Sequence, residues 1–169
     1  ELYDITIGVI GAGYAGKHYI NLLRNFDIDI LLYDPCVSAE QAKEMNAEKV
    51  ELEELLERSD VVSIHAPSIP STYKMLNKER LRLMKDNAIL INTARGAIID
   101  EEDLVNELKA GRLFACLDVT DPEPPSKDHP FMKLPNVVLT SHIAGAVNNG
   151  LHRIGRLTVD NLQRFIAGQ

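Results

Sequence analysis

Three residues with acid–base or anion-binding side chains, Arg95, Glu123 and His142, lie after the carboxyl ends of predicted strands. A histidine beside a carboxylate forms a general acid/base pair, because the carboxylate stabilises the imidazolium and fixes its tautomer. An arginine can hold a carboxylate through two parallel hydrogen bonds. Taken singly, each residue also has a structural interpretation: Arg95 as a surface ion pair, His142 as a turn residue and Glu123 as a solvated loop acid.

The stretch Thr6–Asp34 contains Gly11, Gly13 and Gly16 in the spacing G-x-G-x-x-G, between a predicted strand and a predicted helix. Gly11 would allow a sharp turn, Gly13 the close approach of a pyrophosphate, and Gly16 close packing of helix on strand. The helix N-terminus offers N–H groups and a positive dipole end to phosphates. A chance match is the alternative, but the flanking strand, helix and acid favour dinucleotide binding. Asp34 would bind the adenosine ribose and repel a 2′-phosphate, which predicts NAD rather than NADP.

With a dinucleotide at this turn, the three ionisable residues suit hydride transfer on a 2-keto or 2-hydroxy acid. Arg95 would hold the substrate's carboxylate or carbonyl, His142 would exchange the hydroxyl proton, and Glu123 would support His142. The other histidines are interpreted as structural, although His65 ends a strand where it would line the cofactor pocket; they are His18, His65, His129 and His152.

The apolar runs of the chain are continuous rather than alternating, which is typical of a sheet covered by helices on both faces. Because strands and helices alternate, we predict an α/β fold with a doubly wound parallel sheet of about seven strands. The predicted strands are Ile5–Ile10, Ile28–Tyr33, Val50–Leu52, Val61–His65, Ala88–Asn92, Leu113–Val119 and Val137–Thr140. After the helix of the glycine turn, the predicted helices are Ala39–Asn46, Glu53–Arg58, Leu76–Leu83, Glu101–Ala110 and Asn148–Ala167.

Two helices have apolar positions that predict a buried face. In the helix after the glycine turn these are Ala15, Tyr19, Leu22, Leu23 and Phe26. In the last helix they are Leu151, Ile154, Leu157, Asn161, Leu162 and Phe165. Ser38 and Asp100 are predicted N-caps, and Gly111 is predicted to end a helix.

The length of 169 residues suits one domain, and a net charge of −7 argues against nucleic acid or an anionic membrane as the main partner. The two cysteines, Cys36 and Cys116, do not form a metal or disulfide framework. No apolar run reaches transmembrane length and no signal peptide is apparent, so we expect a cytoplasmic protein without a metal site.

Six motifs follow one another along the chain: GAGYAG, YDP, DVVSIHAPSIPSTYKML, MKDNAILINTARGAIIDEEDLVNELKAG, LDVTDPEP and TSHIAGA. Over essentially its whole length, the sequence resembles the NAD-binding domain of the D-isomer-specific 2-hydroxyacid dehydrogenases. The resemblance implies that Arg95 is the catalytic arginine, Glu123 the acid and His142 the proton-transfer histidine. It further implies that Asp118 holds the nicotinamide carboxamide. The whole cofactor site implied by the resemblance consists of Gly11, Gly13, Tyr14, Ala15, Gly16, Asp34, Pro35, His65, Ala66, Pro67, Thr72, Thr93, Ala94, Arg95, Asp118, His142, Ala144 and Gly145.

The sequence departs from the family pattern at three positions. Thr120 replaces a usual aromatic residue, Ser141 a usual proline and Val147 a common threonine. None of these departures removes a catalytic group. Glu123 stands where formate dehydrogenases have glutamine, which argues against formate as the substrate.

In this family the nucleotide domain is inserted into a second domain that closes the cleft and binds the substrate carboxylate. We expect residues 1–169 to be the NAD-binding domain alone, an excised domain or fragment, since no initiator methionine precedes the first strand. Such a chain would bind NAD weakly and turn over little substrate. The resemblance also implies a homodimer formed through the segment after the glycine helix and residues 70–85 and 120–135.

Two alternatives share this scaffold. One is an NAD-sensing transcriptional corepressor, which keeps the Arg/Glu/His set but acts by binding partners. The other is a bare NAD-binding module within a larger synthase, which the combination of Arg95, Glu123 and His142 makes less fitting.

Overall fold

The structure is a computed structural model that describes residues 3–145 and 149–169. Val147 and Asn148, which are named above as a family departure and as the start of the last helix, lie outside the described residues.

Seven strands alternate with six α-helices along the described chain. The strands are β1 (Tyr3–Ile10), β2 (Asp27–Tyr33), β3 (Glu48–Lys49), β4 (Val61–Ile64), β5 (Ile89–Asn92), β6 (Phe114–Leu117) and β7 (Val137–Leu139). The helices are α1 (Tyr14–Leu23), α2 (Ala39–Glu44), α3 (Leu52–Arg58), α4 (Lys78–Leu83), α5 (Glu101–Lys109) and α6 (Asn149–Ile166). Short 3₁₀ turns cover Gly96–Ile98 and Pro130–Met132.

All seven strands form one parallel sheet in the order β3-β2-β1-β4-β5-β6-β7. The C-terminal residue of β1, Ile10, pairs with Tyr33 of β2 on one side and with Ile64 of β4 on the other. The strands after β1 are therefore added on one side of it as far as β3 and on the other side from β4 onward. This reversal of the strand order creates the crevice where open α/β sheets bind ligands. The predicted doubly wound α/β fold is confirmed.

Two apolar cores lie on opposite faces of the sheet. On one face, α3, α4 and α5 bury residues such as Leu55, Leu81 and Leu104 against the strands. On the other face, α1 and α2 cover the sheet near β1 and β2. This second face is open over β6 and β7, where Phe114 is 46% exposed and Val138 is 61% exposed.

Local sequence signals begin and end several helices as predicted. Ser38 accepts a hydrogen bond from the Gln41 backbone N–H, and the Gln41 side chain accepts one from the Ser38 N–H, which forms a capping box. Asp100 caps α5 by accepting from the Asp103 N–H. Gly111 follows α5 with a φ of +74°, a left-handed conformation that suits glycine.

The predicted face of α1 is wrong by about one position. Its buried residues are Gly16, Ile20 and Leu23, whereas Ala15, Leu22 and Phe26 are exposed and Tyr19 is half-buried. The reason is that Gly16 faces the sheet, where a β-carbon would lie 2.0 Å from the Gly11 carbonyl oxygen. The turn, rather than the largest apolar side chains, sets the rotation of the helix.

Two predicted boundaries also differ. The strand expected at Val50–Leu52 lies at Glu48–Lys49, because Leu52 is already the first, buried residue of α3. The helix expected to start at Leu76 starts at Lys78, after the N-cap Asn77.

The predicted burial of the last helix is wrong for this chain. Along α6 the large apolar side chains are exposed, from 53% at Val159 to 79% at Phe165. An apolar stripe at helical spacing identifies which side of a helix avoids water, but not which element covers it. None of the helices in the described ranges is long and apolar enough to cross a membrane.

Candidate functional site

The glycine turn connects β1 to α1 at the point where the sheet order reverses. Gly11 has a φ of +94°, and its N–H donates to the Tyr33 carbonyl oxygen at 2.9 Å. A β-carbon at Gly11 would lie 2.8 Å from the Ala66 nitrogen, so β1 and the segment after β4 touch through this glycine. The turn is therefore held by the ends of β2 and β4, its two neighbours in the sheet.

Gly13 differs from the other two glycines, because a β-carbon placed on it would meet no atom within 4 Å. It is the N-cap residue of α1 and is exposed, as are Tyr14 and Ala15 after it. No side chain caps this helix, so its first N–H groups have no side-chain acceptor at the cap. This geometry suits an anion, which would be bound by backbone donors and by the positive end of the helix dipole.

Asp34 lies directly after β2 and contacts the glycine turn. One carboxylate oxygen accepts the Ala12 N–H at 2.7 Å, and the other accepts the Cys36 N–H at 2.8 Å. The residue between, Pro35, is exposed. Asp34 therefore supports the glycine turn in addition to presenting a carboxylate beside it.

His65, at the end of β4, is held beneath α1. Its Nε2 lies 3.0 Å from the Ser63 hydroxyl, and its ring centroid lies 4.8 Å from that of Tyr19. Burial lowers the pKa of His65 and raises the pKa of Tyr19. Since burial disfavours the charged form of each group, this cluster is neutral near pH 7.

The loop after β4 contains Ala66, Pro67 and Thr72. Ala66 is buried against Gly11, whereas Pro67 is exposed. The Thr72 hydroxyl donates to the Pro67 carbonyl oxygen at 2.6 Å and accepts the Ile69 N–H at 3.0 Å. Thr72 thereby closes a compact turn beside the crevice.

Asn92 ends β5 and organises the segment that carries Arg95. It is 1% exposed, its amide donates to the Arg95 carbonyl oxygen at 2.9 Å, and its side-chain oxygen accepts the Ala94 N–H at 3.0 Å. Thr93 and the Arg95 side chain remain exposed, and the guanidinium donates to the Ala94 carbonyl oxygen. Sequence reasoning missed Asn92, although a polar residue that ends a buried strand was an available signal.

Asp118, after β6, holds the loop that carries His142. Its carboxylate accepts the Thr140 hydroxyl and the Ile143 and Ala144 N–H groups, while its carbonyl oxygen accepts the His142 N–H at 2.9 Å. Burial opposes ionisation of Asp118, but the hydrogen bonds from Thr140, Ala144 and Ile143 outweigh it and hold its pKa below the usual value. His142 has a φ of +54°, a conformation that non-glycine residues adopt only when their surroundings impose it.

Glu123 and His142 are in direct contact, as their proposed chemistry requires. The His142 Nδ1 lies 2.6 Å from a Glu123 carboxylate oxygen, and about two-fifths of each side chain is exposed. A carboxylate only accepts, so Nδ1 carries the proton and Nε2 is directed elsewhere. A cavity of about 840 Å³ opens beside the pair, and its lining includes Met132, Leu134 and Thr140.

The structure thus brings Gly11, Ala66 and Asp34 together at the turn, and Asp118, Glu123 and His142 together at the opposite half of the sheet. Arg95 follows β5, which lies between these two groups in the sheet, and within the described residues its side chain forms no hydrogen bond to Glu123 or His142. Ala144 and Gly145 are exposed beside His142. No group of three or more residues suited to a metal ion occurs among residues 3–145 and 149–169.

Residues 1–144 match the family described as "D-isomer specific 2-hydroxyacid dehydrogenase, NAD binding domain". This chain belongs to that family.

Relatives of this dehydrogenase family are similar over the whole chain. A D-3-phosphoglycerate dehydrogenase of Archaeoglobus fulgidus is 37% identical over 169 residues, which are 99% of this chain and 32% of that protein. A glyoxylate reductase of Thermofilum pendens is 43% identical over 173 residues, which cover all of this chain and 50% of that protein. The chain therefore spans between a third and about half of the length of these relatives. They are described as enzymes, and neither supports the corepressor alternative.

Two solved structures have the same fold over nearly the whole of this chain. The TT0316 protein from Thermus thermophilus is 40% identical with a TM-score of 0.88, over 99% of this chain and 52% of that one. The D-lactate dehydrogenase from Aquifex aeolicus, complexed with NAD and lactic acid, is 35% identical with a TM-score of 0.83, over 97% of this chain and 54% of that one.

The residues of this NAD-binding domain fit the cofactor that the family binds. The open space at Gly13 and the uncapped start of α1 suit a phosphate group, and the half-buried Asp34 suits a ribose. The contacts of the individual residues with NAD remain predictions.

Proposed function

We propose that residues 1–169 are the NAD-binding half of a dehydrogenase that interconverts a D-2-hydroxy acid and its 2-keto acid. The observation that carries this proposal is the 2.6 Å contact between Glu123 and His142 at the same sheet edge as the glycine turn. A bare NAD-binding module within a larger synthase would have no need of this pair.

His142 is proposed to move the proton of the substrate hydroxyl. With Nδ1 bonded to Glu123, Nε2 remains to donate a proton to the keto oxygen during reduction, or to accept one during oxidation. Glu123 stabilises the imidazolium form and keeps the proton on Nδ1 when the ring is neutral. NAD(H) supplies or takes up the hydride when bound.

Arg95 is proposed to hold the substrate's carboxylate or carbonyl. Its guanidinium is exposed and donates to the carbonyl oxygen of its neighbour Ala94, so it can exchange this single bond to a neutral acceptor for a bidentate one to a carboxylate. The Asn92 amide holds the Arg95 carbonyl oxygen by a hydrogen bond, so only the Arg95 side chain would have to move when substrate binds.

We propose NAD rather than NADP as the working cofactor. Asp34 presents its carboxylate at the end of β2, where it would repel a 2′-phosphate.

The remaining parts of the enzyme are proposed to lie outside this chain. A second, substrate-binding domain would cover α6 and the open part of the sheet, where Phe114, Val138 and Phe165 are exposed. A homodimer partner would contact the segment after the glycine helix and residues 70–85 and 120–135. The share of the relatives' length that this chain spans supports the same division. A cytoplasmic location agrees with the two free cysteines, Cys36 and Cys116.

The first experiment separates cofactor binding from catalysis. The 169-residue chain should bind NADH more tightly than NADPH, as measured by the change in nicotinamide fluorescence, but oxidise NADH little or not at all with a panel of 2-keto acids. Equal or tighter binding of NADPH would contradict the role of Asp34. Rapid turnover by this chain would contradict the need for a second domain.

The second experiment uses the longer protein that carries this chain. Arg95→Ala and His142→Ala should each lower kcat/KM for 2-keto acids by about 100-fold or more, because each removes a group that acts on the substrate. Lys109→Ala, on the exposed end of α5, is the control and should retain activity. Full activity of Arg95→Ala would refute the proposed mechanism.

A further inference from the structure

Glu123 lies in a twelve-residue segment without regular structure, residues 118–129, which we name the Glu123 loop. A loop of this length has many conformations, so a carboxylate on it meets a fixed histidine only if other contacts hold the loop. Glu123 itself is partly exposed and contributes only its bond to His142. The loop must therefore be held by residues on either side of Glu123.

Glu101, the first residue of α5, contacts the Glu123 loop on both sides of Glu123. One carboxylate oxygen accepts the Asp121 N–H at 2.7 Å, two residues before Glu123. The other lies 3.3 Å from Nε2 of His129, six residues after Glu123. Only 14% of the Glu101 side chain and 16% of the His129 side chain are exposed. One half-buried carboxylate thus joins the two ends of the loop.

His129 is fixed in one tautomer by its own neighbours. Its Nδ1 accepts the Phe131 N–H at 3.4 Å, so Nδ1 has no proton and the neutral ring carries its proton on Nε2, which faces Glu101. Its ring also lies 4.6 Å from the ring of Phe131, which is 2% exposed in the core. Burial lowers the pKa of His129, which agrees with a neutral ring near pH 7.

The same part of the chain also places Arg95. Arg95 and Glu101 flank the 3₁₀ turn Gly96–Ile98, and a β-carbon at Gly96 would lie 2.2 Å from the Thr120 carbonyl carbon. The backbone of the Glu123 loop therefore packs directly on the segment between Arg95 and Glu101. A displacement of either segment would move the proposed substrate-binding arginine relative to the acid/base pair.

We propose that Glu101 and His129 are positioning residues, which hold the Glu123 loop in the one conformation that brings Glu123 to Nδ1 of His142. Neither residue touches the proposed reacting atoms; they act through Glu123. The inference deepens the proposed function and rests on it, since Glu123 matters only if His142 transfers a proton.

The test measures the His142 ring directly in the 169-residue chain, by ¹⁵N NMR in a titration toward high pH, with the spectra compared where the ring signals no longer change and the ring is neutral. Ring nitrogen shifts distinguish a proton on Nδ1 from one on Nε2, and a His142→Gln sample assigns the signals. Glu123→Gln provides the reference spectrum for a changed Glu123 contact. Glu101→Ala and His129→Ala test the proposal, and Glu102→Ala is the matched control, because Glu102 is the exposed neighbour of Glu101 on the same helix.

We expect the wild type and Glu102→Ala to have the proton on Nδ1 of His142. Glu101→Ala should lose this pattern, and His129→Ala should lose it at least in part, while both retain the circular dichroism spectrum of the wild type. A role in stability alone would lower the Tm but leave the His142 ring of the folded protein unchanged, and that result would overturn the proposal. If Glu101→Ala does not fold, His129→Ala decides, because it keeps the bond from Asp121 to Glu101.

Activity in the longer protein separates this inference from the proposed function. Glu101→Ala should lower kcat for 2-keto acids about 10-fold or more, with KM for NADH within twofold of the wild type. A wild-type kcat in Glu101→Ala would overturn the positioning role and leave the proposed function standing. If the wild-type protein carries the His142 ring proton on Nδ1 but reduces no 2-keto acid, the proposed function is refuted. The positioning of Glu123 by Glu101 and His129 would still be supported if their variants lose that proton position.

Discussion

The three glycines of the turn should respond differently to the same added methyl group. A β-carbon at Gly13 meets nothing within 4 Å, whereas one at Gly16 would lie 2.0 Å from the Gly11 carbonyl oxygen. Gly13→Ala should therefore fold normally and lose cofactor affinity, because the methyl group enters the space proposed for the pyrophosphate. Gly16→Ala should lose stability, because α1 would have to move away from β1.

The expected magnitudes follow from these distances. At Gly13, alanine destabilises the folded state because it is a poorer N-cap than glycine, but it also lowers the conformational entropy of the unfolded chain, which favours folding. Each effect amounts to about 0.5–1 kcal/mol, so the two largely cancel. The Tm should stay within roughly 3 °C of the wild type. At Gly16, the overlap should cost about 1–3 kcal/mol even after the better helix propensity of alanine, which lowers the Tm by roughly 3–10 °C. For Gly13→Ala, the NADH Kd should rise at least about 10-fold, which corresponds to about 1.4 kcal/mol.

Thermal unfolding by circular dichroism and NADH fluorescence titrations on the same samples measure both quantities. Gly155→Ala in α6 is the control, since a β-carbon there also meets nothing within 4 Å and the residue is far from the turn in sequence. An unchanged NADH Kd for Gly13→Ala would refute the placement of the pyrophosphate. A wild-type Tm for Gly16→Ala would refute the close packing of α1 on the turn.

Four further predictions concern other parts of the chain. Burial raises the pKa of Glu101 to about 6 from 4.5. The protonated carboxyl therefore stabilises the folded state fully below pH 4.5, and this stabilisation is lost as the pH rises through about 6. In urea titrations, with Glu101→Gln as the reference, the wild type should be less stable at pH 7.5 than at pH 4.5 by up to about 2 kcal/mol. Arg112→Met should lower the free energy of unfolding by roughly 2 kcal/mol in the same assay, because Glu107, with 12% of its side chain exposed, loses its ion pair at 2.7 Å. If the double variant Arg112→Met/Glu107→Gln is no more stable than Arg112→Met, the unpaired charge of Glu107 is not the cause. Asp118→Asn should cost about 1–3 kcal/mol, because an amide cannot accept all three donors of the His142 loop. Leu157→Gln should leave the free energy of unfolding within about 0.5 kcal/mol, since Leu157 is 57% exposed on α6; a larger loss would mean that α6 packs on the domain in solution.

The sequence predicts best those features that a short segment determines alone. The glycine spacing fixes the turn, and the continuous apolar strands fix the sheet. The residues that follow the strands, such as Asp118 and His142, then lie at one edge. The contact of Glu123 with His142 joins residues 19 positions apart, but the chemistry of the pair made it predictable before the geometry was known.

Contacts between distant segments were not predictable in the same way. The sequence indicates only a structural role for His129, and nothing local links it to Glu101, from which it is 28 positions distant. Glu101 itself has the ordinary appearance of an acid in the first turn of a helix. The packing of Gly96 on Thr120 helps to bring these segments together, and a glycine has no side chain by which a sequence could indicate its partner.

Asp34 has a consequence for how this domain could change its cofactor. Its two carboxylate oxygens accept the Ala12 and Cys36 N–H groups, and so the group proposed to discriminate against a 2′-phosphate also supports the glycine turn. A single exchange that removes the negative charge would leave at least one of these N–H groups without its acceptor, because even asparagine has one acceptor oxygen where Asp34 uses two. Evolution or engineering toward NADP would therefore first need another acceptor beside the turn, which makes the proposed NAD preference resistant to single substitutions.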